Sequence, residues 1–165
     1  IFKKILTTCS GKVFPPKAKS VELLLKKISE IRKSTHTLHS CVVKFNEKNI
    51  FFFREYKSTE KKMNNGIYVG TKKESYWDNR FKIISNYRKV FCETLNDQKW
   101  LNYKKLFLEN RIHNNIMYEI LKTLPVIHYK NKRLIPFLSK QSHMKECGIS
   151  FFFNPKMPLT KKNFF

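Results

Sequence analysis

Few residues of this chain have the types and spacing that catalysis or metal binding requires. His36 and His39 are three residues apart and could form a metal-binding pair, but no carboxylate adjoins them and the nearest cysteine is Cys41. A hydrogen-bonded or solvated role for both histidines is therefore the expectation. Asp78 and Asp97 are the only aspartates, so paired carboxylates for acid and base catalysis are also missing.

Nucleotide chemistry lacks its usual sequence signatures. Neither G-x-x-x-x-G-K-[ST] nor G-x-G-x-x-G occurs, and the four glycines cannot build a glycine-rich loop around a triphosphate. The four cysteines include no C-x-x-C pair, which favours reduced, mostly buried thiols over a zinc site or a disulfide framework. We expect no cofactor, no metal and no catalytic residue in this chain, and we predict that it is not an enzyme by itself.

Positive charge is the strongest global feature. The 34 Lys and Arg residues against 12 Asp and Glu residues give a net charge of +22, which attracts polyanions. Codon bias in an AT-rich genome is an alternative explanation, because lysine dominates the basic residues and Ala18 is the sole alanine. Against it, segments 37–56 and 91–119 are almost neutral whereas the rest is strongly basic. RNA is the expected partner, and no apolar run is long enough to indicate a membrane span.

The stretch ESYWDNRFKI, residues 74–83, is the first candidate for an RNA-binding surface. If it is one strand, alternation directs one set of side chains into the core: Trp77, Phe81 and Ile83. The other set faces outward: Tyr76, Arg80 and Lys82. Such a face can contact phosphates and stack on an unpaired base. A core strand with solvated charges remains the alternative.

Other candidate RNA contacts lie on expected loops, turns and the C-terminal tail. Turns project basic side chains away from the core, where they can reach phosphates at little cost to the fold. These candidates are Lys61, Lys62, Lys72, Lys73, Lys130, Lys132, Arg133, Lys161 and Lys162.

Periodicity predicts an α+β fold. The elements are an N-terminal amphipathic helix after Pro15 and Pro16, a β-hairpin over 37–55, a basic loop with a short strand at 67–69, the aromatic strand, a helix pair over 97–124, a second hairpin around KNKR and a final strand ISFFF. Apolar positions of the first helix are Val21, Leu24, Leu25, Ile28 and Ile31. We predict three parts: a helical segment 1–36, a β-rich basic region 37–90, and a C-terminal domain 91–165 with a basic tail.

Six segments, taken in order, resemble the C-terminal half of tRNA(Ile)-lysidine synthetases of the alphaproteobacterial and mitochondrial type. They are GKVFPPKAKSVELLLKKI, TLHSCVVKF, FFFREY, YWDNRFKI, ILKTLPVIHYKNKRLIPFL and ISFFFNPKMPLT. The resemblance implies a family with an N-terminal ATP-pyrophosphatase domain, which adenylates a cytidine of a tRNA anticodon and replaces the adenylate with lysine. It also implies helical and C-terminal domains that hold the tRNA.

Two departures from the family pattern bear on function. The nucleotide-binding signature S-G-G-x-D-S is absent, so no catalytic residue can be transferred, and the expectation is a chain that begins after the catalytic domain. Where the family tends to have paired glycines before its cysteine, this chain has His39 and Ser40 before Cys41.

Three functions therefore compete. We expect a non-catalytic RNA-binding protein, an organelle-encoded rRNA-binding component of a mitochondrial ribosome that contacts neighbouring proteins of that ribonucleoprotein. The alternative is the tRNA-binding C-terminal subunit of a split tRNA(Ile)-lysidine synthetase. The third is a basic protein-interaction module whose charge is incidental.

Overall fold

A computed structural model describes residues 1–95, 103, 115–139 and 141–160. Within these ranges the chain forms an α+β fold of helices and antiparallel sheets, as predicted. The helices are α1 (Phe2–Ser10), α2 (Ala18–Glu30), α3 (Tyr56–Met63), α4 (Asn115–Leu121) and α5 (Gln141–Glu146). The strands are β1 (Ser34–Leu38), β2 (Cys41–Phe45), β3 (Ile50–Arg54), β4 (Ile67–Val69), β5 (Glu74–Trp77), β6 (Phe81–Ser85), β7 (Val90–Thr94), β8 (Pro125–Tyr129), β9 (Lys132–Leu134) and β10 (Ile149–Phe153).

A smaller core joins α1 and α2 to the sheet β1-β2-β3. Leu6, Val21 and Leu24 from the helices are buried against Cys41 and Val43 from the sheet. The amphipathic helix is thus confirmed at its central positions, whereas its predicted apolar positions Leu25 and Ile31 are exposed. Helix α1 was not anticipated, because the two lysines of IFKKIL obscure its short apolar face.

The predicted hairpin over 37–55 is a three-stranded sheet. Residues expected to form one strand up to Phe45 instead form β1 and β2, joined by the two-residue turn His39–Ser40. Both turn residues have a positive φ, 56° and 61° respectively, which is the conformation of a tight hairpin turn and one that glycine adopts most readily. This chain therefore forms the tight turn with two residues other than glycine.

A larger core lies between two further sheets, β10-β6-β5 and β4-β7-β8-β9. Trp77, Ile83, Cys92 and Ile127 are fully buried in it. Each of these two sheets contains strands from before and from after the predicted boundary at residue 90. The predicted division of the chain into three parts stays a prediction. The four cysteines are free thiols, and three of them are buried.

Several predicted elements agree with the structure. The strand at 67–69, the second hairpin (β8 and β9) and the final strand β10 are confirmed. The second member of the helix pair is α4, while the first member, over 97–111, falls outside the described residues except for the buried, helical Tyr103. No helix of the described ranges has the length and apolar character to cross a membrane.

Two predicted elements are wrong. Residues expected to form a basic loop after β3 form α3. The buried side chains of α3 are Thr59 and Met63, and these are too few apolar positions to give a helical pattern in the sequence. The segment 74–83 is a hairpin: β5 and β6 are joined at Asp78 and Asn79, with φ of 50° and 58°. The Asp-Asn pair was the turn signal, but uninterrupted alternation of side chains favoured a strand.

Candidate nucleic-acid interface

The turn between β5 and β6 carries a fully buried carboxylate. Asp78 accepts two hydrogen bonds from the Arg54 guanidinium, Nε to Oδ2 at 2.8 Å and Nη2 to Oδ1 at 3.1 Å. Arg80 Nε donates to Oδ2 at 3.1 Å, and Lys62 Nζ lies 3.2 Å from Oδ1. Thr59 Oγ1 donates to Oδ2 at 3.1 Å. Three cations and one hydroxyl therefore surround one carboxylate, and we call this group the Asp78 cluster.

The surroundings of the Asp78 cluster favour the charged form of its carboxylate, whereas burial disfavours the charged form of Arg80. Burial raises the pKa of Asp78, but Arg80, Arg54 and Lys62 outweigh that effect and hold the pKa below its usual value. Burial lowers the pKa of Arg80 to about 10, against the opposing effect of Asp78, so the guanidinium is charged at neutral pH. An ionised carboxylate has no proton to donate, and a lowered pKa makes it a weak base, so these properties favour a structural role for the cluster.

The Asp78 cluster also joins the two cores. Arg54 belongs to the sheet of the smaller core, and its Nη1 donates to the Ser40 carbonyl at 3.0 Å. Asn79 Nδ2 donates to the carbonyl of Gly11, the residue that ends α1, at 2.9 Å. Gly11 has φ 65°, and a Cβ there would lie 2.2 Å from the Asp78 carbonyl oxygen, so only glycine permits this approach.

The outward position predicted for Arg80 is wrong. Its side chain is buried, and besides Asp78 it donates to the Thr123 carbonyl at 3.3 Å. The reversal at Asp78 and Asn79 explains the error, because it changes which positions of the segment face outward. Lys61 and Lys62 lie on α3 rather than on a loop, and Lys62 is directed at Asp78. Arg80 is therefore unsuited to binding phosphate, whereas Lys62 is exposed as well as paired with Asp78.

Tyr76 and Lys82 do share the outer face of the sheet β10-β6-β5. The register places Phe152 opposite Lys82, and Lys82 opposite Tyr76, in one row across the three strands. Lys156 Nζ lies 5.5 Å from the centre of the Tyr76 ring, and Lys82 pairs with Glu74 at the side of the row. Rings alternating with ammonium groups on an open sheet suit a strand of RNA, since bases stack on the rings and phosphates meet the cations. We call Phe152, Lys82, Tyr76 and Lys156 the aromatic row.

The turn-borne candidates are accessible where they are described. Lys72 and Lys73 are exposed just before β5, and Lys61 is exposed on α3. Lys130, Lys132 and Arg133 are exposed at the hairpin of β8 and β9, where Lys132 lies 3.9 Å from Glu146 and Arg133 hydrogen-bonds Tyr103. Lys161 and Lys162 lie outside the described residues.

A second row of rings was missed by sequence reasoning. On the sheet β4-β7-β8-β9, the register places Tyr68, Phe91, His128 and Arg133 side by side. Lys89 Nζ lies 4.3 Å from the Tyr68 ring centre, and His128 Nε2 lies 2.7 Å from Glu93 Oε1. These residues come from four separate strands, so only the strand pairing could have revealed the row.

The two histidines considered as a metal-binding pair, His36 and His39, have different partners. His39 Nε2 bonds to the Phe14 carbonyl at 3.0 Å, while His36 stacks on Phe45 with ring centres 5.8 Å apart. The pair is thus turned to different neighbours. Within the described part of the chain, no three His, Cys, Asp or Glu side chains are grouped to hold a metal ion.

Comparison with known proteins identifies relatives with one common name. The chain is 31% identical over 166 residues to the tRNA(Ile)-lysidine synthase of Rickettsia akari (strain Hartford). The aligned region covers 92% of this chain and 36% of that protein. The same-named protein of Rickettsia bellii (strain RML369-C) is 30% identical over 159 residues, covering 89% and 35% respectively. That of Rickettsia felis is 31% identical over 152 residues, covering 84% and 33%.

The chain thus spans about a third of the length of these curated relatives. No protein-family model and no solved structure matches it. The resemblance found in the sequence motifs is confirmed, and the coverage agrees with the expected C-terminal half. By sequence, this chain is a relative of the tRNA(Ile)-lysidine synthases.

Proposed function

We propose that this chain is the tRNA-binding C-terminal part of a tRNA(Ile)-lysidine synthase, and that it holds the tRNA for the ATP-pyrophosphatase domain that the family resemblance implies. The observation that carries the proposal is the aromatic row in a chain related to enzymes named for a tRNA substrate. The row supplies stacking surface and cations but no catalytic group, as expected of a part that binds RNA while another part reacts.

The net charge of +22 supports the same proposal. Cations that neutralise several phosphates release condensed counterions, so binding should weaken by orders of magnitude between roughly 50 and 200 mM salt. Filter binding of a tRNA(Ile) transcript across that salt range measures the slope. An affinity that stays flat over the range removes the electrostatic argument.

A paired variant separates the aromatic row from general charge. Tyr76→Ala with Lys82→Ala removes one stacking ring and one cation from the row, and we expect tRNA affinity to fall roughly 10-fold or more. Phe51→Ala with Lys48→Ala is the matched control, because it removes an exposed ring from the sheet of the smaller core and an exposed lysine from the turn between β2 and β3. Equal losses from both pairs would place the tRNA elsewhere.

We further propose that the chain alone does not modify tRNA. Purified protein incubated with labelled ATP, lysine and total tRNA should incorporate no lysine, and addition of an ATP-pyrophosphatase domain should restore incorporation. Incorporation by the chain alone would overturn this part of the proposal.

The ribosomal role is less favoured, because the relatives named above carry the name of a tRNA enzyme. The two roles differ in a simple measurement. A tRNA-binding part should prefer tRNA(Ile) to an rRNA fragment of equal length. On a sucrose gradient it should sediment separately from ribosomal subunits. Stable co-sedimentation of the endogenous protein with mitochondrial ribosomal subunits would instead support the ribosomal role and the mitochondrial location.

A further inference from the structure

A pocket opens beside the aromatic row, along the outer edge of β10. Its volume is about 420 Å³, within the range of roughly 300–1,000 Å³ found for small-ligand sites. It is lined by Phe137, Ser139, Met144, Lys145, Phe151 and Phe152, among others. Phe152 belongs both to this pocket and to the aromatic row, so the two features form one continuous surface.

Phe137 is placed at this pocket at a cost to the fold. Its φ is 66°, a left-handed conformation that is rare for a bulky residue, and its side chain is 67% exposed. The ring is held edge-on to Phe151, with centres 5.7 Å apart. Strained backbone and exposed apolar surface together are features that cluster at ligand sites.

The edge of β10 offers hydrogen-bonding groups to the same pocket. Asn154 N donates to the Arg80 carbonyl and Asn86 N donates to the Gly148 carbonyl, which fixes the alternation between β10 and β6. In an antiparallel pair the intervening residues direct their N–H and C=O groups away from the partner strand. On β10 these are Ile149, Phe151 and Phe153, and no strand of the described part of the chain pairs with that edge.

We infer that this pocket receives one unstacked nucleobase from an RNA strand lying across the aromatic row. The Phe137 ring provides a stacking surface, the backbone of Phe151 can bond the edge of the base, and Lys145 can reach the adjoining phosphate. Among the described residues, the pocket lining contains a lysine and no carboxylate, which matches a polyanion. The inference rests on the proposed RNA binding and adds to it the recognition of a single flipped base.

The test uses the full chain and a short single-stranded RNA that carries one 2-aminopurine and a 5′ fluorescein. Anisotropy of the fluorescein reports binding, and 2-aminopurine emission reports stacking of that base. We expect quenching when the wild type binds. Phe137→Ala should restore the emission and weaken binding about 5- to 100-fold, as expected for loss of one base stack.

Two further variants keep the test decisive. Phe137→Gly removes the ring and suits the positive φ, so it should retain the wild-type unfolding temperature while losing the quenching. Phe51→Ala should leave both signals unchanged. Binding without quenching, or quenching that survives in both Phe137 variants, overturns the inference and makes a peptide strand beside β10 the better occupant. Absence of RNA binding by the wild type would instead contradict the proposed function itself.

Discussion

Two hairpin turns of this protein each begin at a residue with a positive φ, but they differ in burial. The turn between β5 and β6 begins at Asp78, with φ 50°, and the turn between β8 and β9 begins at Lys130, also with φ 50°. Both are followed by basic residues, yet Asp78 is fully buried whereas Lys130 is exposed. Basic residues near a turn therefore do not by themselves mark an RNA-binding surface. What separates the turns is whether a carboxylate and a second core lie beside the cations.

The largest expected effect comes from neutralising Asp78. Asp78→Asn nearly preserves the shape but leaves Arg54 and Arg80 buried without a counter-charge, which should reduce the free energy of unfolding by about 3–5 kcal/mol. Urea unfolding measures the change. The control is Glu146→Gln, whose carboxylate lies 3.9 Å from Lys132 at the surface and should contribute less than about 1 kcal/mol. Similar losses from both variants would show that the Asp78 cluster does not depend on its charge.

Acid unfolding tests the same carboxylate through its pKa. Because the folded pKa of Asp78 is lowered, its ionised form contributes stability above the unfolded value of about 3.9. That contribution is lost as the pH falls through the folded pKa, so the free energy of unfolding of the wild type should decline below about pH 4. In Asp78→Asn this part of the decline should be absent. An identical pH dependence in both proteins would contradict the ionised state assigned to Asp78.

The second turn should show the reverse pattern, with binding affected more than stability. Changing Lys130, Lys132 and Arg133 together to Gln should weaken tRNA binding and lower the salt slope by about 0.7–0.9 for each phosphate that is no longer neutralised. Stability should change by roughly 0.5 kcal/mol at these exposed positions, with a further small cost for the bond from Arg133 to Tyr103.

The control for that triple variant removes equal charge from α2. Lys19, Lys26 and Lys27 are exposed there, and their change to Gln alters the net charge by the same amount. Filter binding at several salt concentrations compares the two variants. If the α2 variant loses as much affinity, long-range charge rather than the hairpin governs binding.

The sequence predicted elements where periodicity and turn chemistry agree. The hairpin of β8 and β9 alternates cleanly around KNKR, and the apolar positions Val21 and Leu24 of α2 lie at helical spacing, so both elements were found. The predictions failed where the two signals conflict, since alternation through Asp78 and Asn79 concealed a turn. They also failed where tertiary packing decides, as for α3, which is held by Thr59 and Lys62 at the Asp78 cluster.

Only part of the candidate site could be predicted from the sequence, because strand pairing decides the rest. Tyr76 and Lys82 were found because they alternate on one segment. Phe152 joins them through pairing with β10, whose partner the sequence does not specify. The second row, from Tyr68 to Arg133, depends on three strand pairings and left no local signal.

The smallest expected effect compares the two turns at their first residues, which share a φ of 50°. A non-glycine residue at positive φ costs roughly 1–2 kcal/mol, and glycine relieves that cost. Glycine also gives the unfolded chain more conformational entropy, which lowers the free energy of unfolding by about 0.5–1 kcal/mol. Lys130→Gly should therefore raise the free energy of unfolding by less than about 1 kcal/mol, because the side chain is exposed and loses only a surface contact, in which Nζ lies 5.5 Å from the centre of the Tyr129 ring. Asp78→Gly relieves the same strain but removes the buried carboxylate, so it should destabilise the protein by several kcal/mol, as Asp78→Asn does. Thermal and urea unfolding of each variant show whether the free energy of unfolding rises or falls. Destabilisation by Lys130→Gly as large as that by Asp78→Gly would show that the two turns are equally important to the fold, and the contrast between them would disappear.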